Sequence, residues 1–212
     1  NIISRIQSCG KTILSTLAHI PESDMKEILM LKDRLAMLES KDKCKESFME
    51  YVRYIWDGFI EGEHHRLIAD KLTEVAQGKC KRLIVNMPPR HTKSEFASVH
   101  FPSWIMGLKP DMKIMQTTHT ADLSVRFGRK VRNLMDTDEY KRIFDKVSLA
   151  PDSKSAGRWE TSAGGEYFAA GVGGAITGRG ADLLIIDDPH SEQDALSLNA
   201  MEGAYEWYTS GP

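Results

Sequence analysis

Long apolar runs are missing from this sequence. No stretch approaches the roughly 18 consecutive apolar residues that a membrane-spanning helix needs, and no charged-then-apolar amino-terminal segment suggests secretion. We therefore read a soluble, intracellular chain with no membrane partner. Cysteine is scarce: Cys9, Cys44 and Cys80 are odd in number, lie 35 and 36 positions apart, and lack the close spacing of zinc ligands. They read as reduced thiols. A charge excess is missing too, with 28 Lys plus Arg against 30 Asp plus Glu, so any nucleic-acid surface has to be a local patch. Internal repeats and low-complexity tails are absent. What is present is ordinary: 41% hydrophobic and 27% charged residues in a chain of 212, enough to bury a core and to hold one α/β domain plus an appendage. The sequence starts at Asn1 and ends at Ser210-Gly211-Pro212, and we read it as a fragment of something longer.

Periodicity divides the chain into a helical first third and an alternating remainder. Over residues 24–40, Asp24 and Glu27 have capping-box spacing, and Ile28, Leu31, Leu35 and Leu38 recur as one stripe. That is an amphipathic helix. A second helix is expected over 46–60, with Phe48, Val52, Ile55 and Phe59 on one side, and a third from Glu63 to a stop at Gly78. The run Leu83-Ile84-Val85, bounded by charge and by Pro88-Pro89, suits a buried strand. Residues 94–106 read as a helix with a break near Pro102, 113–118 as a strand and 121–135 as a helix. A glycine-rich stretch over 164–180 follows, and 182–187 is apolar enough for the middle of a parallel sheet. Strands alternating with helices predict an α/β fold around a right-handed parallel sheet.

Chemistry concentrates at two places. The expected strand 83–85 runs into Asn86-Met87-Pro88-Pro89-Arg90-His91-Thr92-Lys93-Ser94 and then into a helix, the context of a phosphate-binding loop. Lys93 suits the outer phosphates and the Ser94 hydroxyl suits magnesium. The usual glycines are absent; if Thr92 needs a positive φ, its β-branched side chain costs about 1 to 3 kcal/mol. The second place is Leu183-Leu184-Ile185-Ile186-Asp187-Asp188, an apolar strand ending in two carboxylates. Asp187 can hold magnesium and Asp188 can orient a water molecule; alone, the segment would also suit a solvated Asp-Asp-Pro turn.

Together, Pro88-Pro89-Arg90-His91-Thr92-Lys93-Ser94-Glu95, the stretch from Gly171 to Asp182 and Ile185-Ile186-Asp187-Asp188-Pro189 resemble the ATPase half of tailed-bacteriophage terminase large subunits. The resemblance implies an additional-strand P-loop NTPase over 46–212, with a parallel-rich sheet flanked by helices and an N-terminal helical extension over 1–45. The nuclease half and the coupling motif of that family are not in the sequence. ATP and Mg2+ are the implied cofactors. The implied partners are double-stranded viral DNA, the portal protein, the small terminase subunit and further copies in a ring, the isolated chain being monomeric, all in the host cytoplasm.

By position, Lys93 resembles the Walker A lysine, Ser94 the magnesium hydroxyl and Asp187 the Walker B carboxylate. Asp188 stands where many relatives carry a catalytic glutamate, with Glu192 in reserve. Arg90 lies where family members have an arginine near the phosphates, and Arg179 resembles a finger donated to a neighbouring subunit. Pro89, Arg90, His91 and Thr92 complete the loop around the nucleotide, and His64 and His65 with Arg66 are the polar candidates for the base. Other readings are a helicase-like or kinase-like P-loop protein and a degenerate nucleotide-binding or structural module. Arg126, Arg129, Lys130 and Asn133 form one face of the helix over 121–135, read as a solvated face rather than a DNA-binding one. Trp104, Trp159 and Trp207 are read as core or interface aromatics.

Overall fold

The computed structural model describes residues 21–152, 155–174, 176 and 178–210. Contacts divide the chain into two units, Asn1–Asp42 and Lys43–Pro212. In the first unit the described residues form most of α1 (Glu22–Glu46). This helix starts before Asp24, with Met25 N–H donating to Pro21 O at 3.0 Å, so Asp24 lies inside the first turn and not at the cap. The part of the expected extension over 1–20 lies outside the described residues.

The second unit opens with α2 (Phe48–Ile55) and α3 (Glu63–Ala76). Ser47 caps α2 by accepting from Glu50 N–H. This helix ends earlier than its apolar spacing predicts, because Gly58 turns the chain at φ +71°. α3 ends as expected, with Gly78 at φ +73° just past its last turn. Residues 95–100 form a turn of π-helix that continues into α4 (Phe101–Leu108). The break expected at Pro102 takes this form: a proline has no N–H to donate, and Phe101 N–H bonds five residues back to Phe96 O.

β1 (Lys113–Thr118) and α5 (Ala121–Met135) have the bounds that periodicity predicts. Thr120 caps α5, accepting from Leu123 N–H, and α6 (Asp138–Ile143) follows. Two strands went unread in the sequence: β2 (Arg158–Glu160) and β3 (Glu166–Gly171). β4 (Leu183–Ile186) and α7 (Leu198–Ser210) complete the unit. The sheet runs β2-β3-β1-β4. β1 pairs parallel with β3 and β4, and β2 pairs antiparallel with β3. The protein is thus mixed α/β, with a mostly parallel four-stranded sheet and flanking helices.

Two expectations about the sheet are corrected. Residues 83–85 join no strand pair among the described residues: Leu83 and Val85 face the core while Ile84 is 86% exposed. The segment is extended but unladdered, and the two prolines that follow it supply no donors. β4, expected in mid-sheet, is an edge strand beside β1.

One sheet face carries Ile114, Tyr167, Leu183 and Ile185 into a core shared with Phe48, Tyr51, Phe96, Trp104 and Val131. Burial there stabilises the fold by roughly 1.5 to 3 kcal/mol per large apolar side chain. Two polar groups in this core are satisfied: Tyr51 Oη shares a hydrogen with Ser103 Oγ at 2.7 Å, and Trp104 Nε1 donates to Cys44 O at 2.8 Å, while the Tyr167 hydroxyl is buried with no hydrogen-bond partner. Burial pushes the Tyr51 phenol well above its ordinary pKa. Gly128 lets α5 approach the sheet, since a Cβ there would lie 2.9 Å from the Tyr167 ring of β3 and 2.6 Å from Ala156 O. The other face is lighter, with Met115, Phe168, Ala170 and Leu184 gathered around Ile176 and Trp207. Trp104 and Trp159 are fully buried. The Cys44 thiol is buried and donates to Glu50 O at 3.7 Å, and that of Cys80 is half-buried, while Cys9 lies outside the described residues.

Candidate functional site

Parallel strands end together, so whatever follows β1 and β4 meets at one rim of the sheet. Asp187 follows β4 directly and its N–H donates to Thr117 O at 2.9 Å; His119 N–H donates to Asp188 O at 3.1 Å. These two backbone bonds continue the β1–β4 pairing past the last strand residues and carry both carboxylates to the rim. Asp188 adopts φ +44°, so the chain turns sharply and the neighbouring side chains diverge. The Asp187 side chain is nearly buried, at 6% exposed, and that of Asp188 is open, at 62%.

Lys93 reaches both carboxylates across the gap from the loop. Its ammonium lies 3.4 Å from Asp187 Oδ1 and donates to Asp188 Oδ1. Burial opposes the Lys93 charge, but the hydrogen bond to Asp188 and the fields of the two aspartates outweigh it, and its pKa is raised above the ordinary lysine value. Asp187 keeps its other oxygen on Ser98, whose hydroxyl donates to Oδ2 at 2.9 Å, and Gln116 Nε2 donates to that hydroxyl at 3.2 Å. Gln116 Oε1 is buried with no hydrogen-bond partner. Ser98 and Gln116 were not singled out in the sequence. Ser98 stands four residues past Ser94, one helical turn along the same face, and that spacing was the available signal.

The loop itself is bent by two left-handed residues, Arg90 at φ +64° and Thr92 at φ +63°. For a β-branched residue such a φ is costly, and the surroundings hold it. Gly62 N–H donates to His65 Nδ1 at 2.9 Å, which assigns the ring proton to Nε2; that group is 2.7 Å from Thr92 Oγ1, and the threonine hydroxyl in turn donates to His91 O at 2.6 Å. His65 is buried, stacked on Phe96 with centroids 5.0 Å apart. Burial first, and the nearby His64 ring second, hold its pKa below the ordinary histidine value. The start of α3 is fixed in turn by Glu61, which accepts from Arg53 and Arg66 and whose carboxyl those bonds hold down at about 2. His65 is therefore a support of the loop, and Arg66 is engaged with Glu61. Among the described residues, the N–H groups of Arg90 to Ser94 make no backbone hydrogen bond; they form a row of unspent donors at the start of a helical segment.

The remaining predicted residues make no hydrogen bond or ion pair with the two carboxylates. Pro89 and His91 are exposed on the loop, where His91 Nδ1 lies 2.9 Å from Pro89 O. His64 packs edge-on to His91, centroids 5.6 Å apart. No hydrogen bond or ion pair links Arg90, Ser94 or Glu192 to the carboxylates, and Glu192 is exposed in a turn beyond them. Arg179 lies at the opposite rim: its guanidinium sits 4.1 Å over the Phe168 ring and 3.5 Å from Glu166 Oε1. There it lines a cleft of about 190 Å³ with Lys113. The chain does not bring it to its own Lys93. On α5, Arg126, Arg129, Lys130 and Asn133 are exposed, and Lys130 pairs with Glu95.

Among the described residues no group of three or more His, Cys, Asp and Glu side chains has the arrangement of a metal cage, and no helix is long and apolar enough to cross a membrane. Compared with family models, curated proteins and solved structures, the chain matches none.

Proposed function

We propose that this chain is a magnesium-dependent ATPase domain, and that its resemblance to terminase large subunits reflects a role in driving double-stranded DNA into a viral procapsid. One observation carries the reading. The residue before Lys93 has the left-handed backbone that phosphate-binding loops usually obtain from glycine, and the loop's N–H groups are unspent while Lys93 reaches two carboxylates at the end of a strand.

The residues fit the implied cofactors. Ser94, Asp187 and Asp188 offer hard oxygen donors of the kind magnesium takes, few in number and so suited to an ion that keeps waters and phosphate oxygens. The loop from Pro89 to Thr92 and the Lys93 ammonium offer donors to a polyphosphate. When bound, Mg2+ neutralises charge on the phosphate oxygens. Ser98 and Gln116 hold the Asp187 carboxylate in one orientation, which leaves Oδ1 for Lys93 or a cation. Asp188, open to solvent, can orient water and accept its proton once Lys93 turns from it to a phosphate. Arg179, being remote from its own site, is suited to act on another subunit's nucleotide. The portal and the small terminase subunit are the corresponding partners, with a ring of this chain as the working assembly.

The test is Mg-ATP binding and turnover by wild type and Lys93→Ala. Turnover should be lost in the variant while circular dichroism stays native. Hydrolysis at the wild-type rate would place the site elsewhere, and binding without turnover in wild type would favour a degenerate nucleotide-binding module.

A further inference from the structure

The apolar stripe of α1 is spaced 3, 4 and 3 residues apart: Ile28, Leu31, Leu35, Leu38. This is the a–d–a–d seam of two heptads, and all four side chains are exposed, at 47 to 59%. In that register Glu27 and Arg34 occupy g positions, and Lys32 and Glu39 occupy the e positions five residues on. All four are exposed.

We infer that α1 is a docking surface for α1 of a second copy of this chain, in a parallel, in-register two-stranded coiled coil. The charges select both partner and direction. In a parallel pair each g residue faces the e residue of the next heptad on the other helix, so Glu27 meets Lys32 and Arg34 meets Glu39, each opposite in sign and each occurring twice. In the antiparallel alternative g faces g and e faces e, which sets Arg34 against Arg34 and Lys32 against Lys32 at the centre. Ile28 at a with Leu31 and Leu38 at d is the side-chain choice that favours two strands, and Leu35 at the second a position is the one departure from it. Two heptads are short, so association should be weak and strongly concentration-dependent. The inference rests on α1 alone and is independent of the ATPase reading; it departs from a monomer in isolation.

Sedimentation equilibrium of the full chain, from low micromolar to near-millimolar concentration, should show monomer–dimer exchange. Leu31→Lys with Leu38→Lys should weaken it more than about 100-fold, because four charges would enter the seam unpaired. A monomer at every concentration, including the case in which the chain's own first residues cover the stripe, overturns the inference, as does a dimer indifferent to these substitutions. Direction is read separately. With the native cysteines replaced by serine, Leu31→Cys should cross-link to itself under mild oxidation; cross-linking only between Leu31→Cys and Leu35→Cys overturns the parallel pairing. Glu27→Lys with Arg34→Glu, and Lys32→Glu with Glu39→Lys, should each abolish self-association and restore it on mixing. Failure to restore removes the charge argument and the inference with it. ATP turnover of the Leu31 and Leu38 variant at monomeric concentration reports on the other proposal without touching this one.

Discussion

Replacing Thr92 separates two properties that usually travel together: a backbone that suits glycine and a side chain with work to do. Thr92→Ala removes the hydroxyl that stands 2.7 Å from His65 Nε2 and donates to His91 O. It leaves a buried imidazole N–H without its acceptor, a loss of about 1 to 3 kcal/mol. Alanine also keeps the strain of φ +63°, about 1 to 2 kcal/mol for a residue with a Cβ. Thr92→Gly loses the same hydroxyl but releases that strain, and gives back about 0.5 to 1 kcal/mol through the greater freedom of the unfolded chain. The glycine variant should therefore be more stable than the alanine variant by about 0.5 to 1 kcal/mol, both lying below wild type. At an ordinary position the order is reversed by a similar amount. Urea denaturation of the three proteins measures it, with unchanged slopes confirming a common transition. An alanine variant as stable as the glycine variant would refute the left-handed loop. A wild type no more stable than Thr92→Gly would refute the support by His65.

Burial, with the Lys130 charge second, depresses the pKa of His100 to about 4 from 6.5, so its contribution to stability is complete above pH 6.5 and is lost as pH falls toward 4, about 3 kcal/mol in all. His100→Phe, which keeps an aromatic ring where His100 stacks on Trp56, should flatten that acid limb in denaturation profiles; parallel profiles would remove His100 from the account. On the ATPase reading, Asp188→Ala should slow hydrolysis while sparing Mg-ATP binding, and Asp187→Ala should weaken the magnesium dependence of binding and destabilise the fold by about 1 to 3 kcal/mol through the stranded Ser98; calorimetry and turnover showing one shared phenotype would contradict the separate roles. Arg179→Ala should bind Mg-ATP like wild type, and mixing it with Lys93→Ala under assembling conditions should produce turnover that neither shows alone. Silence of a verified assembly would exclude a finger supplied by a neighbour.

Local rules were sufficient where an element's fate depends on its own spacing. β1 and α5 could be bounded to the residue because a short run of strand composition, Thr120 and an apolar stripe all speak of the same few positions. Gly78 stops α3 because its φ is a property of that residue. Lys93, Asp187 and Asp188 were legible as a group from residue type and from the elements around them. The pairing of strands, in contrast, depends on distant partners. β3 was hidden in a glycine-rich stretch because its short run, Glu166 to Gly171, becomes a central strand only when β1 and β2 supply ladders on both sides. Residues 83–85 have strand composition and find no ladder among the described residues. The site divides in the same way. Chemistry could nominate Asp187, but only tertiary contact shows that Ser98 and Gln116 orient it. His65 is a plausible ligand as a residue type; its burial beneath the loop makes it the prop of Thr92, because a hydrogen bond between residues 27 positions apart exists only after the chain has folded.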